Sequence, residues 1–307
     1  MSSAHLVIGG DGLIGRHLFR GIRTRGYRVL RTSRRYGSEG PAVHFDLDSP
    51  PEDLLEQLRV NGWFKNRALV AYIAAAVPGF DRCEQEPETT RNINVCYTIE
   101  IARHLAENKV FLVFLSSDAV FGHKQCVVDE ETIPQPGTEY GKQKLMAETG
   151  LLNLAQTPEC PGVAIVRLTK VVSADAPLID TWLRTLEGGG EIEAFDDMYI
   201  APVSIQYSVR ALMAIGVSRY PGIFHVTGEG DVSYYEFARM LADRWIGTTG
   251  LVKAVSFESR VAPNLGYRRE VMALSTRRAT EIAALVPQPV TQVVNDIVTM
   301  AQSRSVR

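Results

Sequence analysis

The sequence predicts an α/β fold, built as a doubly wound parallel sheet with a smaller C-terminal substrate-binding region. Three observations predict it. Short apolar runs alternate with helical patterns through the first half of the chain. The runs lack polar residues at alternate positions, as strands do when helices cover both faces of a sheet. A glycine-rich segment directly follows the first run, which is where a Rossmann fold places its phosphate-binding turn.

The elements follow in chain order from these patterns. Strands are predicted at 6–8, 27–30, 69–73, 110–115, 163–166 and 223–226, and helices at 13–25, 51–59, 88–107, 139–155, 233–245 and 290–302. After Arg167 the pattern loosens, and residues 173–205 are interpreted as a loop-rich stretch. We therefore predict a dinucleotide-binding domain over 1–172, to which 206–227 returns. Residues 173–205 and 228–307 are predicted to form the substrate-binding region over the carboxyl edge of the sheet.

Composition restricts the classes of partner. The chain has 307 residues and a formal net charge of −2, which gives no sign of a nucleic-acid-binding face and favours a small neutral or anionic metabolite. Its four cysteines show no C-x-x-C spacing and its six histidines no H-E-x-x-H motif, so no dedicated metal site is expected. No basic segment followed by a long apolar run opens the chain, and no apolar run has the roughly 18 residues of a membrane span. We expect a cytoplasmic protein.

The glycine-rich segment is the first candidate binding element. Gly9, Gly12 and Gly15 have the spacing G-x-x-G-x-x-G. Glycine permits a tight turn and a close approach of backbone to ligand, so N–H groups of the helix that starts with Leu13 and Ile14 can face a pyrophosphate. Gly15 allows the helix to pack closely on the strand. The alternative is a turn without a ligand, which the position in the first β-α-β unit disfavours.

The end of the second strand indicates the form of the dinucleotide. Residues 30–35 contain no Asp or Glu where an NAD enzyme would hold the ribose hydroxyls. Arg34, beside Ser33, can instead pair with a 2′-phosphate, which favours NADP(H) over NAD(H). The alternative is a solvated basic loop. Asp46 and Leu47, after a third strand, are candidates to flank the adenine, although a lone Asp in a loop is often a turn residue.

A catalytic group is predicted at the same edge of the sheet. Tyr140 and Lys144 are four residues apart and share one face of a predicted helix. The strand over 110–115 delivers Ser117 to the carboxyl edge. A phenol has a pKa of about 10, and a neighbouring ammonium brings that pKa toward neutrality. Lys144 would also hold the nicotinamide ribose, and Ser117 would polarise a substrate carbonyl. The alternatives are a surface Tyr–Lys pair and a serine that caps local backbone.

The order and spacing of these motifs resemble the extended short-chain dehydrogenase/reductase superfamily, and within it dTDP-4-dehydrorhamnose reductase-like proteins. The matching segments are the glycine turn, Ala74, Ala75 and Ala76 after the 69–73 strand, 86–88 leading to Asn94, 116–121, and 140–144. The resemblance implies that Ser117 is the hydroxyl residue, Tyr140 the proton donor and Lys144 the ribose-binding lysine. It also implies that Ala74 to Ala76 line the cofactor and that helices near 90–106 and 139–155 pair in a homodimer.

The function that the resemblance implies is reduction of a 4-keto-6-deoxy nucleotide sugar with NADP(H). Three alternatives remain. A nucleotide-sugar epimerase would use the same three residues but retain bound NAD. A 4,6-dehydratase is disfavoured because it would carry a glutamate where this chain has Ala119. A non-catalytic NADP-binding regulator, like the regulatory subunit of methionine adenosyltransferase, would bind a partner protein instead. Further candidate contacts for the nucleotide or sugar, each also consistent with a core or surface role, are Trp182, Phe195, Tyr199 and Arg210.

Overall fold

The computed structural model describes residues 3–35, 40–65, 68–122, 126–257, 259 and 271–305. Their strands, in chain order, are β1 (Ala4–Ile8), β2 (Arg28–Ser33), β3 (Ala42–His44), β4 (Leu69–Ile73), β5 (Phe111–Ser117), β6 (Val163–Leu168), β7 (Val171–Val172), β8 (Ile192–Phe195), β9 (Tyr199–Ile200), β10 (Val203–Ser204), β11 (Gly222–Val226), β12 (Val232–Ser233) and β13 (Val252–Val255).

The helices surround and cover these strands. In chain order they are α1 (Leu13–Thr24), α2 (Pro51–Val60), α3 (Phe80–Gln85), α4 (Pro87–Arg91), α5 (Thr98–Glu107), α6 (Glu139–Leu154), α7 (Pro177–Glu187), α8 (Ile205–Ser218), α9 (Tyr234–Ile246), α10 (Arg277–Ala283) and α11 (Val290–Ser305). A π-helix over Asn92–Tyr97 joins α4 to α5, and a short 3-10 helix over Asp118–Val120 follows β5. Among the described residues, no helix has both the length and the apolar character needed to cross a bilayer.

The described residues form a seven-stranded sheet in the order β11-β6-β5-β4-β1-β2-β3, and every pair in it is parallel. Strand β1 lies between β2 and β4, so Val7 is opposite Arg31 on one side and Tyr72 on the other. The strand order reverses there. In open α/β sheets, ligands bind beyond the carboxyl ends of the strands at such a point. The predicted fold class is confirmed.

Three apolar cores explain why the elements hold together. Helices α2, α5 and α6 pack on one face of the sheet, and α1, α8 and α10 pack on the other. All five residues of β1 and of β4 are buried, as the unbroken apolar runs predict. A third core joins α7, α9 and α11 beside the sheet. The segment that contains α10 packs on the sheet, while α9, β13 and α11 contribute to the third core.

The predicted strands and helices are present with small shifts of their ends, but two segments differ from the prediction. The helix predicted over 88–107 is divided into α4, the π-helix and α5. The stretch over 173–205 is not mainly loop, because it contains α7 and β8. Pro177 supplies the first residue of α7, where its missing N–H needs no partner, and the helix ends at Gly188. The glycines after α7 concealed this helix in the sequence pattern.

Candidate cofactor and active site

The glycine turn connects β1 to α1 and leaves the start of α1 open. Gly15 is buried under the turn, where a side chain would collide with the carbonyl oxygen of Gly9. Gly12 caps α1 without a side-chain hydrogen bond, and the first turn of α1 contains no acidic residue. The N–H groups of that turn therefore have neither a capping side chain nor an acidic residue of their own turn as partner, an arrangement suited to an anion such as a pyrophosphate.

A cavity of about 330 Å³ opens beside this turn, and we call it the cofactor cavity. Predicted binding residues from four separate segments line it. They are Gly9, Gly12, Ser33, Arg34, Asp46, Leu47, Ala74, Ala75 and Ala76. Leu13 instead lines a neighbouring apolar cavity, while Ile14 and Gly15 lie in the first turn of α1. Ala74, Ala75 and Ala76 form one side of this cavity, which we call the alanine wall. The cavity lies where the strand order of the sheet reverses, and it combines polar groups with an apolar wall, as a dinucleotide site does.

The end of β2 holds a group that the sequence analysis missed. Asp11, inside the glycine turn, accepts hydrogen bonds from Ser33 Oγ at 3.0 Å to each carboxylate oxygen and from Arg34 N–H at 3.1 Å. The Arg34 guanidinium is 72% exposed and lies 4.0 Å from Asp46 Oδ2. The sequence contained a signal for this group. Asp11 is an acidic residue within the glycine motif, and the chain has no acidic residue at the end of its second strand.

Helix α6 brings Tyr140 against the end of β5. Thr138 caps the helix by accepting a hydrogen bond from Gly141 N–H at 3.1 Å, which fixes Tyr140 in the first turn. A side chain on Gly141 would collide with the carbonyl oxygen of Ala119, so only glycine permits this close approach. Phe80 packs edge-on against the Tyr140 ring, with 5.2 Å between centroids. The phenol is thereby oriented from two sides.

Ser117 ends β5 and is half-buried at the carboxyl edge of the sheet. Its hydroxyl donates to Asp118 Oδ1 at 3.1 Å and accepts from Ala119 N–H at 3.1 Å, so it caps the 3-10 helix over 118–120. This is the local capping role that was the alternative for this residue. A role of Ser117 toward a substrate carbonyl remains a prediction.

Lys144 is buried one helical turn beyond Tyr140. Its Nζ donates to the carbonyl oxygen of Leu115 at 2.9 Å, lies 4.5 Å from the centroid of the Phe114 ring and is 5.9 Å from that of Tyr140. Burial lowers the pKa of Lys144 to about 8, although the carboxylate of Glu148 acts in the opposite direction.

The pKa of Tyr140 differs in direction from the prediction. Burial raises it above its usual value, and the negative charges of Asp118 and Cys83 raise it further. Burial is the largest cause, so the expected lowering by Lys144 does not determine the direction of the shift. The phenol is therefore protonated at neutral pH, which suits a proton donor.

A buried amide pair holds the alanine wall of the cofactor cavity against α6. Asn94, in the π-helix, accepts from Val77 N–H at 2.7 Å and donates to Gln143 Oε1 at 2.8 Å. Gln143 in turn donates to Thr90 Oγ1 at 2.9 Å. The sequence motif included Asn94 and Gln143, but no pattern in the sequence indicates that their side chains pair.

A second cavity of about 330 Å³, which we call the apolar cavity, lies between α1 and α7. Trp182 lines it together with Leu13 and Lys170. The other candidate contacts have different surroundings: Tyr199 is 40% exposed on β9, Phe195 packs edge-on against Phe257, and Arg210 is exposed on α8. The structure thus places Trp182 at a cavity beside the glycine turn.

Comparisons with known proteins bear on this site. A family model described as the RmlD substrate binding domain matches residues 4–303. The dTDP-4-dehydrorhamnose reductase of Mycolicibacterium smegmatis is 27% identical over 248 residues, covering 78% of this chain and 68% of that protein. Methionine adenosyltransferase 2 subunit beta of Danio rerio is 26% identical over 254 residues, covering 78% and 72%.

A solved structure gives the same architecture. The dTDP-4-dehydrorhamnose reductase from Bacillus anthracis in complex with NADP has a TM-score of 0.81 at 18% identity, covering 97% of this chain and 99% of that chain. With the family match, this confirms the predicted resemblance and supports the fold described above.

Proposed function

Because the chain belongs to the RmlD substrate-binding domain family, we propose that it reduces a 4-keto-6-deoxy nucleotide sugar with NADP(H). At the coarser level, the prediction of an NAD(P)-dependent oxidoreductase of the sugar-nucleotide class is confirmed by this membership. The particular substrate and the individual site residues are part of the proposal.

Residues of the cofactor cavity fit the dinucleotide segment by segment. The open first turn of α1, at Gly12, would hold the pyrophosphate, and Arg34 would hold a 2′-phosphate. Asp46 and Leu47 would flank the adenine. Lys144 would hold the nicotinamide ribose, for which its ammonium has donors in addition to the one that Leu115 accepts. When bound, NADPH supplies the hydride.

Tyr140 is the proposed acid. Its raised pKa keeps the phenol protonated, so it donates a proton to the carbonyl oxygen of the sugar as negative charge develops there. Ser117, at the adjoining end of β5, would donate a second hydrogen bond to that oxygen by turning its hydroxyl away from Asp118. The observation that supports this most is the close packing of Gly141 on Ala119, which brings the first turn of α6, with Tyr140, against the 3-10 helix that directly follows Ser117.

Absorbance of the nicotinamide tests the proposal. Purified protein is mixed with NADPH or NADH and dTDP-4-keto-6-deoxyglucose, and Tyr140→Phe serves as the matched control. We expect oxidation of the cofactor by the wild type and nearly none by the variant. If cofactor binds but no member of a wider panel of keto-sugars is reduced, the proposed reaction is wrong.

A non-catalytic regulator is the second candidate function. Two observations favour it: the similarity to methionine adenosyltransferase 2 subunit beta, and the engagement of the Ser117 hydroxyl in a local cap. Such a protein would bind NADP(H), turn over no keto-sugar and form a stable complex with a partner protein. An epimerase is distinguished by a tightly retained NAD and by interconversion of sugars without net oxidation of added cofactor.

The assembly and location are also proposals. Helices α5 and α6 pack side by side through Ile99 and Gly150, and Met146 of α6 is 44% exposed. We propose that this pair of helices meets its copy in a homodimer, as the sequence resemblance implies, and that the protein acts in the cytoplasm. Light scattering of the purified protein at two concentrations, with Met146→Glu as the variant, tests the dimer.

A further inference from the structure

We propose that Asp11 sets the choice between the two nicotinamide cofactors. Its carboxylate would accept a hydrogen bond from the 2′-hydroxyl of the adenosine ribose of NADH, at the position where NADPH carries its 2′-phosphate. This inference rests on the proposed function only in assuming that the cofactor cavity binds a nicotinamide dinucleotide. It modifies the prediction of NADP(H) that was made from Arg34. Both cofactors would bind, and Asp11 would determine the ratio of their Kd values.

The position of the Asp11 carboxylate carries the argument. Asp11 belongs to the glycine turn, yet its side chain reaches across to the end of β2. There it accepts hydrogen bonds from Ser33 Oγ at 3.0 Å to each oxygen and from Arg34 N–H at 3.1 Å. Both Asp11 and Ser33 line the cofactor cavity. One hydrogen bond from Ser33, shared between the two oxygens, and one from Arg34 N–H hold the carboxylate in this position.

The chemistry of that position is the second step. A Rossmann enzyme that uses NAD holds the ribose 2′-hydroxyl with an acidic side chain at the end of its second strand. This chain has Arg34 and Arg35 there instead. Asp11 brings a carboxylate to the same end of β2 from the neighbouring turn. An ionised carboxylate has about four lone-pair sites, so the hydrogen bonds that it accepts from Ser33 and Arg34 leave capacity for a ribose hydroxyl.

A 2′-phosphate, unlike a ribose hydroxyl, is repelled by one charged group at this site and attracted by another. A phosphate monoester carries about −1.5 to −2 charges near neutral pH, so it is repelled by the adjacent carboxylate of Asp11. Arg34 offsets part of this repulsion, but its guanidinium is also 4.0 Å from the Asp46 carboxylate. The hydroxyl of Ser33 and the N–H of Arg34 become available to a phosphate only when the Asp11 carboxylate moves away from them.

The test measures binding alone, by fluorescence titration of the purified protein with NADH and with NADPH. For Asp11→Asn, which keeps the side-chain shape and removes the charge, we expect the Kd of NADPH to fall about tenfold. The Kd of NADH should rise about tenfold, because a hydrogen bond to a carboxylate becomes a weaker one to a neutral amide oxygen. Arg34→Ala should weaken NADPH only. Asp243→Asn, an exposed aspartate of α9, is the matched control and should change neither Kd.

Titration with 2′-AMP and 5′-AMP measures binding of the adenosine part of the cofactor alone. The midpoint temperature of thermal unfolding shows whether each variant is folded. If Asp11→Asn weakens both cofactors equally, Asp11 only braces the turn and the proposal is overturned. An unchanged ratio of the two Kd values also overturns it. Failure of the proposed function has another signature, since the Kd ratio would still shift in a protein that reduces no keto-sugar. Wild-type protein that binds neither cofactor would contradict both.

Discussion

The two ends of one face of α6 carry ionisable side chains, but these side chains have different partners and different uses. Tyr140 and Lys144 lie at the end nearest the carboxyl edge of the sheet, and Glu148 follows at the same spacing of four residues. Glu148 forms a 2.7 Å ion pair with Arg167, and the two side chains are only 1% and 2% exposed. Ser116 Oγ donates a further hydrogen bond to Glu148 at 2.5 Å.

The difference shows that one helix can carry groups for stability at one end and groups for ligand chemistry at the other. At the Glu148 end, the charges of Glu148 and Arg167 neutralise each other and their hydrogen bonds are made within the protein. At the Tyr140 end, the Lys144 ammonium donates to a neutral carbonyl and the Tyr140 phenol stays protonated. The Tyr140 end therefore retains a charge and a transferable proton that a ligand can use. Four predictions test this separation, beginning with the largest effect.

Removing the phenol oxygen should affect turnover alone. Tyr140→Phe deletes one hydroxyl and keeps the ring that packs on Phe80, so we expect kcat to fall by about 10² to 10⁴ with little change in stability. Single-turnover oxidation of NADPH and thermal unfolding measure the two properties. A variant that unfolds at a clearly lower temperature would mean that this end of α6 is structural as well.

Removing one charge of the buried pair should affect folding instead. Glu148→Ala leaves Arg167 without its carboxylate in the core, so the free energy of unfolding should fall by about 3 to 5 kcal/mol. Urea denaturation measures it. Glu187→Ala, at the exposed end of α7, is the control and should change that free energy by less than about 0.5 kcal/mol. Equal losses in the two variants would contradict the role assigned to the ion pair.

Removing both charges together should restore much of that stability. In the double variant Glu148→Met/Arg167→Met no uncompensated charge remains, and apolar side chains of similar length occupy the space. We expect unfolding free energy within about 2 kcal/mol of the wild type, because exchange of a buried pair for apolar groups is often nearly neutral. Should the double variant be less stable than Glu148→Ala, the pair contributes through its hydrogen bonds to Ser116 rather than through charge balance.

The smallest effect concerns the pH dependence of cofactor binding at the Tyr140 end of α6. Lys144 has a pKa of about 8, so it loses its positive charge as the pH rises through that value. Affinity for NADPH should therefore weaken by about tenfold between pH 7 and pH 9, since a charged hydrogen bond becomes a neutral one. Titrations at several pH values measure this. Lys144→Met should bind weakly with no such step, and a step that persists in this variant would belong to another group.

The sheet and the catalytic spacing could be predicted because both depend on neighbouring residues. Apolar runs such as β4 identify buried strands, and the four-residue interval between Tyr140 and Lys144 follows from helix periodicity. The contacts that refine the site are not local. Asp11 meets Ser33 only because β1 and β2 are adjacent, and Asn94 meets Gln143 only because the π-helix and α6 pack together. The direction of the Tyr140 pKa depends on burial, which no spacing rule measures.

The π-helix between α4 and α5 has a consequence for how this chain would tolerate a deletion. A π-helix accommodates one residue more than a regular helix of the same rise. Deleting a single residue between Asn92 and Tyr97 would therefore restore a continuous α-helix and leave the faces of α4 and α5 nearly where they are, because the π-helix already absorbs the extra residue. The π-helix thus holds Asn94 against Val77 and Gln143 while Thr90, on α4, still accepts a hydrogen bond from Gln143.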